Sequence, residues 1–120
     1  MSVDQYLNRR YDRKNYHCLH FVAEVWEAET GEDVKERLDV LLGAVAGGGK
    51  RHSLQRRHVR AFTRLRGPVS PCFALMERPG FEPHVGLYIR GRILHITERG
   101  VEFFPPSLAA RNFTSVKYYK

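Results

Sequence analysis

Cys18 lies in the first turn of a predicted helix, a position that could make its thiol nucleophilic. With Asn15 as N-cap and Gly31 as stop signal, the spacing of apolar residues predicts a helix from about Tyr16 to Glu29. A thiol in the first turn lies near unpaired backbone amides and the positive end of the helix dipole, which lower its pKa. The alternative is a small core residue on the apolar stripe. That stripe comprises Cys18, Phe21, Val22, Val25 and Trp26.

Two histidines in a predicted hairpin could supply the base that such a thiol needs. If Arg90-Gly91 forms a two-residue loop, His95 lies opposite Gly86 and diagonal to His84, with side-chain origins ~7 Å apart. We expect Gly86 to leave the space between the rings open. The pair would then provide a general base and the residue that orients it. The alternative is two unrelated, half-exposed histidines, because a change of register by one residue would separate them.

The segments NYHCLHFVAEVW, HVGLYIRG and ILHI together resemble the NlpC/P60 cysteine peptidase family, in particular its compact members associated with phage tails. The resemblance extends from Tyr11 to Ile96. It implies that Cys18 is the nucleophile, His84 the general base and His95 the third polar residue. Tyr11 would correspond to the family's tyrosine upstream of the cysteine, where it contacts substrate.

The resemblance implies a cysteine hydrolase that cleaves amide bonds in bacterial peptidoglycan peptides as a component of a phage tail or tail tip. The family usually has Asp before the cysteine and Ser-Gly after it, whereas this chain has His17 and Leu19-His20. These differences keep an alternative open, in which the chain is a structural or assembly subunit of a tail tip with the same fold and little or no turnover. In both cases the partners would be other tail proteins.

Other motifs in the chain predict no cofactor. The run Gly47 to Lys50 lacks the first glycine, the Ser or Thr and the preceding strand of a phosphate-binding loop. The pair Cys18 and His20 diverges by ~200° on a helix and has no second pair of metal ligands, so we expect no metal site. Cys72, in a predicted strand, is expected to be a core residue rather than half of a disulfide with Cys18.

The positive charge of the chain is concentrated in one segment. The net charge is +7, and Lys50 to Arg66 holds seven basic residues and no acidic one. If this segment is helical, Arg56, Arg60 and Arg64 form a row beside Arg57, which suits an anionic wall polymer or an acidic partner. The alternative is a solvated basic face. A nucleic-acid-binding module remains a weaker alternative, since Phe62 is the only aromatic residue interleaved with these charges.

The elements that must position these residues are helices first and strands second, which predicts an α+β fold. With the resemblance, we expect a papain-like NlpC/P60-type domain spanning residues 1–120, its N-terminal helices packed on a C-terminal antiparallel sheet. Further helices are predicted from Val34 to Gly47 and from Leu54 to Leu65, and strands from Cys72 onward. The predicted strands are Cys72 to Met76, His84 to Ile89, Ile93 to Thr97, Val101 to Phe104 and Ser115 to Tyr119.

The N-terminal residues lack the apolar core of an export signal, and the longest apolar run is far shorter than the ~20 residues of a membrane span. We therefore expect synthesis in the host cytoplasm without a signal peptide, followed by assembly into the virion tail.

Overall fold

A computed structural model describes residues 3–47 and 62–120, which fold as an α+β protein. The helices in this part of the chain are α1, Cys18–Thr30; α2, Lys35–Gly47; and α3, Pro106–Asn112. A single 3₁₀ turn, Asp4–Tyr6, precedes them. Helix α1 ends at Gly31, whose φ of 79° places it in the left-handed region that favours glycine.

Six strands form one antiparallel sheet in the order β1-β6-β2-β3-β4-β5. They are β1, Arg64–Leu65; β2, Cys72–Glu77; β3, His84–Ile89; β4, Arg92–Thr97; β5, Gly100–Phe104; and β6, Ser115–Tyr119. Strands β3 and β4 are joined by Arg90-Gly91, where both residues have positive φ values, 55° and 81°. This backbone matches the twist of the flanking strands, so the two-residue loop sets the register of the hairpin.

Each face of the sheet carries its own apolar cluster. Helix α1 buries its stripe against Phe73, Val85 and Leu87 on one face, which we call the α1 face. On the other, the α3 face, Ala109 of α3 packs with a second cluster. This second cluster includes Ala74, Met76, Ile93 and Phe104. Because side chains alternate along a strand, the central strands are buried on both faces.

The segment before α1 is tied to the helix by polar contacts around Glu24. Arg9 forms an ion pair with Glu24 at 2.9 Å, and the hydroxyl of Tyr16 donates a hydrogen bond to the same carboxylate. The side chain of Tyr6 is buried among the residues of the α1 face. These contacts hold the chain that carries Tyr11 against the start of α1.

Most of the predicted elements are confirmed. Helix α1 begins two residues later than expected, α2 begins one residue later, and the five predicted strands occur with bounds shifted by at most one residue. The predicted third helix lies mostly outside the described residues, and its last two residues form β1 instead, because Arg64 and Leu65 pair with Tyr119 and Tyr118. Helix α3 and strand β1 were not predicted. Within the described ranges, no helix has the length and apolar character required to cross a membrane.

Candidate active site

Cys18 is the first residue of α1, and two histidines beside it cap the helix. His17 is the N-cap residue, and its ring accepts a hydrogen bond from the Leu19 amide at 3.4 Å. The Nδ1 atom of His20 accepts one from the His17 amide at 3.3 Å, which completes a capping box. The prediction of Asn15 as N-cap was wrong, since its side chain donates to Asp12 instead. His17 and His20, which differ from the residues usual in the NlpC/P60 family, therefore cap the start of α1.

The Cys18 thiol is half-buried, and burial raises its pKa. Hydrogen bonds from the backbone amides of Val85, Leu19 and Cys18 itself oppose this effect without reversing it. The lowered pKa expected from the helix start was therefore wrong in its net direction, because desolvation of the thiolate outweighs the amides. The amides remain suitable donors for negative charge that develops during a reaction.

The two predicted site histidines are directly hydrogen-bonded. Nε2 of His84 lies 2.7 Å from Nδ1 of His95, and the ring centroids are 4.9 Å apart. The pairing of Ile89 with Arg92 confirms the register on which this prediction depended. Both pKa values are lowered by burial, that of His84 to about 3 and that of His95 to about 4, and the neighbouring His95 contributes to the shift of His84. Both imidazoles are consequently neutral at neutral pH.

The surroundings of the pair differ from expectation in two respects. His95 is 2% exposed and packs on Phe104, with ring centroids 4.5 Å apart, so the alternative of two half-exposed, unrelated histidines was wrong. The space beside Gly86 is not open either. A Cβ atom at Gly86 would lie 2.7 Å from the Ile93 side chain and 3.3 Å from the His95 Cβ, so neighbouring side chains fill the space that a side chain at this position would need.

A carboxylate that sequence analysis missed lies beside the other ring nitrogen of His95. Oε1 of Glu102 lies 3.2 Å from Nε2 of His95, although the approach is not aligned for a hydrogen bond. His95 and Glu102 face each other across β4 and β5. The sequence could have indicated this contact. In the predicted hairpin from Ile93 to Phe104, these two positions lie opposite each other when Thr97 pairs with Gly100.

Tyr11, which the resemblance implies as a substrate-contacting residue, packs against the same apolar cluster as Cys18. Its side chain is partly buried against the cluster of the α1 face, and burial raises its pKa. Cys18 and the carboxylates of Glu82 and Glu98 raise it further, while Arg13 opposes them. The phenol thus lies within electrostatic range of the thiol and of two acidic side chains on exposed loops.

The thiol and the imidazoles approach the start of β3 from opposite faces of the sheet. Cys18 belongs to α1, whereas His84 stacks on Phe113 of the α3 face, with ring centroids 6.2 Å apart and planes within 5° of parallel. The thiol is hydrogen-bonded by the amide of Val85, the residue that follows His84. In the described part of the chain, no hydrogen bond joins the Cys18 sulfur to a ring nitrogen of His84.

The remaining predicted residues lie away from this site or outside the described residues. Cys72 is buried in β2 and is not bonded to Cys18. Arg64 is exposed in β1, so it does not continue a helical row, and Arg56, Arg57 and Arg60 lie outside the described residues. Among residues 3–47 and 62–120, no three His, Cys, Asp or Glu side chains converge as metal ligands would.

The fold and this site define an α+β protein with a cysteine at a helix start and a hydrogen-bonded histidine pair at the start of β3. Comparisons of the chain with protein-family models, with curated proteins and with solved structures give no match.

Proposed function

We propose that the protein is a cysteine hydrolase of the NlpC/P60 type that cleaves amide bonds in bacterial peptidoglycan peptides. The observation that carries this proposal is the 2.7 Å contact between His84 and His95 at the start of β3, where the Val85 amide donates to the Cys18 thiol. A nucleophile, a base and an orienting residue are the minimum set for acyl transfer. The resemblance in sequence supplies the substrate class.

The residues support a two-step reaction. The Cys18 sulfur attacks the amide carbon as its proton passes to His84, and the resulting oxyanion accepts hydrogen bonds from backbone amides at the start of α1. Collapse of this tetrahedral intermediate breaks the C–N bond, and the leaving amine takes the proton from His84. Water then gives a proton to His84 and attacks the thioester, which releases the carboxylic acid and returns that proton to the sulfur.

Before substrate binds, the thiol and the imidazole are both uncharged. Burial raises the pKa of Cys18 and lowers that of His84, so the resting pair is not a thiolate and an imidazolium. The proton is therefore transferred during attack. The thiol and the ring must also come together at the start of β3, since catalytic hydrogen bonds are often long or poorly aligned before substrate binds.

The proposal extends to where the enzyme acts. A tail or tail-tip protein of a phage would be delivered to the wall by the particle, through contacts with other tail proteins. The basic segment Lys50 to Arg66 would favour an anionic wall polymer or an acidic partner surface.

A second candidate is a structural or assembly subunit of a tail tip that keeps this fold without useful turnover. Two observations favour it: the raised pKa of the Cys18 thiol, and the lack of a hydrogen bond between the described side chains of Cys18 and His84. Either feature would be unimportant to a protein that only packs against its neighbours.

The two candidates are separated by incubating purified muropeptides with the wild type, Cys18→Ala and His84→Ala, and identifying the products by mass spectrometry. Cys72→Ala is the matched control, because it removes the other thiol. We expect cleavage by the wild type and by Cys72→Ala, and a loss of roughly 10²- to 10⁴-fold in His84→Ala, the usual contribution of a general base. Cys18→Ala should be inactive. A wild type without turnover on any wall preparation would favour the assembly subunit.

A further inference from the structure

The buried end of His95 has an unusual environment. Its Nε2 atom has no hydrogen-bond partner, although the residue is 2% exposed. The Glu102 carboxylate lies 3.2 Å from this atom. An unmet polar atom in the interior is costly, since a lost hydrogen bond there is not replaced by water.

This contact determines where the protons of both rings must lie. A neutral imidazole carries one N–H and one lone pair. A lone pair on Nε2 of His95 would face a carboxylate oxygen and be repelled, whereas an N–H at that position would be attracted. Nδ1 of His95 is then the acceptor in the 2.7 Å contact, so His84 must donate through Nε2. The lone pair of His84 is left on Nδ1, the nitrogen that the ring pair does not use.

We propose that Glu102 is a positioning residue, the outer member of a row Glu102–His95–His84 that fixes both tautomers and keeps Nδ1 of His84 free to accept a proton. The proton pattern is a property of the folded protein, while its effect on turnover rests on the proposed function. Glu102 does not touch the thiol and acts only through His95.

The Glu102 carboxylate needs only a small movement to reach hydrogen-bonding geometry. Glu102 is about half exposed, with 47% of its side chain accessible, so its carboxylate can rotate into line with Nε2 of His95. The row therefore orients the rings and stabilises the imidazolium of His84 that forms during attack.

The direct test is nitrogen NMR of the full chain labelled with ¹⁵N in its histidine rings, recorded near pH 7 for the wild type, Glu102→Ala and Glu102→Gln. Glu36→Gln, an exposed carboxylate on α2, is the charge-matched control. Signals are assigned with a His84→Asn variant. We expect protonated Nε2 and bare Nδ1 in both His84 and His95 of the wild type and the control. Glu102→Ala should show mixed tautomers, and Glu102→Gln a smaller change.

Turnover on muropeptides is the second readout. Glu102→Ala should lower kcat by roughly 10- to 100-fold with KM unchanged, by analogy with the outer hydrogen-bond partners of metal-bound histidines. A wild type with protonated Nδ1 in His95, or a pattern that survives in Glu102→Ala, would overturn the proposal. Unchanged kcat in Glu102→Ala would also overturn it. A wild type without turnover whose proton pattern depends on Glu102 would instead refute the proposed function and uphold the positioning role.

Discussion

The two cysteines differ in what surrounds the sulfur. Cys18 is half-buried at a helix start, where three backbone amides can stabilise its thiolate, whereas Cys72 is fully buried within β2. Burial raises the pKa of both thiols, so the difference in reactivity comes from access and from the amides.

We expect Cys18 to react with iodoacetamide faster than Cys72 near neutral pH, and to react faster still as the pH rises, because the thiolate is the nucleophile. Peptide mapping after a brief exposure measures both sites in one sample. A denatured sample serves as the control, since both thiols should then react at similar rates. Equal labelling in the folded protein, or preference for Cys72, would contradict the assignment of Cys18 as nucleophile.

Among the elements of the fold, the packing of β4 side chains over β3 depends on Gly86. We expect Gly86→Ala to destabilise the protein by about 1–3 kcal/mol, the usual cost of overpacking. The added Cβ atom would meet Ile93 at 2.7 Å and the His95 Cβ at 3.3 Å. Urea unfolding followed by circular dichroism measures the loss.

The matched control is Gly67→Ala, because no atom lies within 4 Å of a Cβ added at Gly67. We expect its free energy of unfolding to stay within about 0.5 kcal/mol of the wild type. Equal effects of the two substitutions would show that the fit between β3 and β4 is not what requires glycine.

The N-cap of α1 could be improved by substitution. His17→Asp should stabilise the protein by about 0.5–1 kcal/mol, because a carboxylate is a better N-cap acceptor and interacts favourably with the helix dipole. The existing bond from the Leu19 amide to the His17 ring is long, at 3.4 Å. Thermal melts measure the gain. Asn15→Ala should change the melting temperature little, and a larger effect at Asn15 than at His17 would contradict the observed cap.

The elements that sequence analysis predicted are those with strong local signals. The turn at Arg90-Gly91 fixed the hairpin and with it the pairing of His84 with His95. Helix α3 has only seven residues, too few for apolar periodicity to show, and β1 exists because it pairs with β6. The net pKa shift of Cys18 could not be predicted from its place in a helix, since burial depends on the whole fold.

For the whole molecule, the buried histidines predict a loss of stability in mild acid. The folded pKa values of His84 and His95 lie below the value of about 6.5 expected in an unfolded chain, so the unfolded state binds protons first as the pH falls. The contribution of these two histidines to stability should be constant above about pH 7 and should decline from about pH 6.5 downward, by up to about 1.4 kcal/mol per pH unit for each.

Urea unfolding at several pH values between 7 and 5 measures this decline before most carboxylates titrate. His84→Asn should reduce the slope by roughly half, because one of the two buried imidazoles is gone. His20, whose pKa is also lowered by burial, contributes a smaller part that both proteins share. An unchanged slope in His84→Asn would show that the imidazole pair is protonated or exposed in the folded state.

The strand order has a consequence for synthesis of the chain on the ribosome. Strand β6, Ser115–Tyr119, lies between β1 and β2, so β2 has a free edge until these residues have emerged. A nascent chain that stops at Phe113 would present the backbone donors and acceptors of a long apolar strand to other chains, which is a recognised cause of aggregation. Premature termination near the end of translation should therefore yield insoluble protein rather than a slightly shortened native fold.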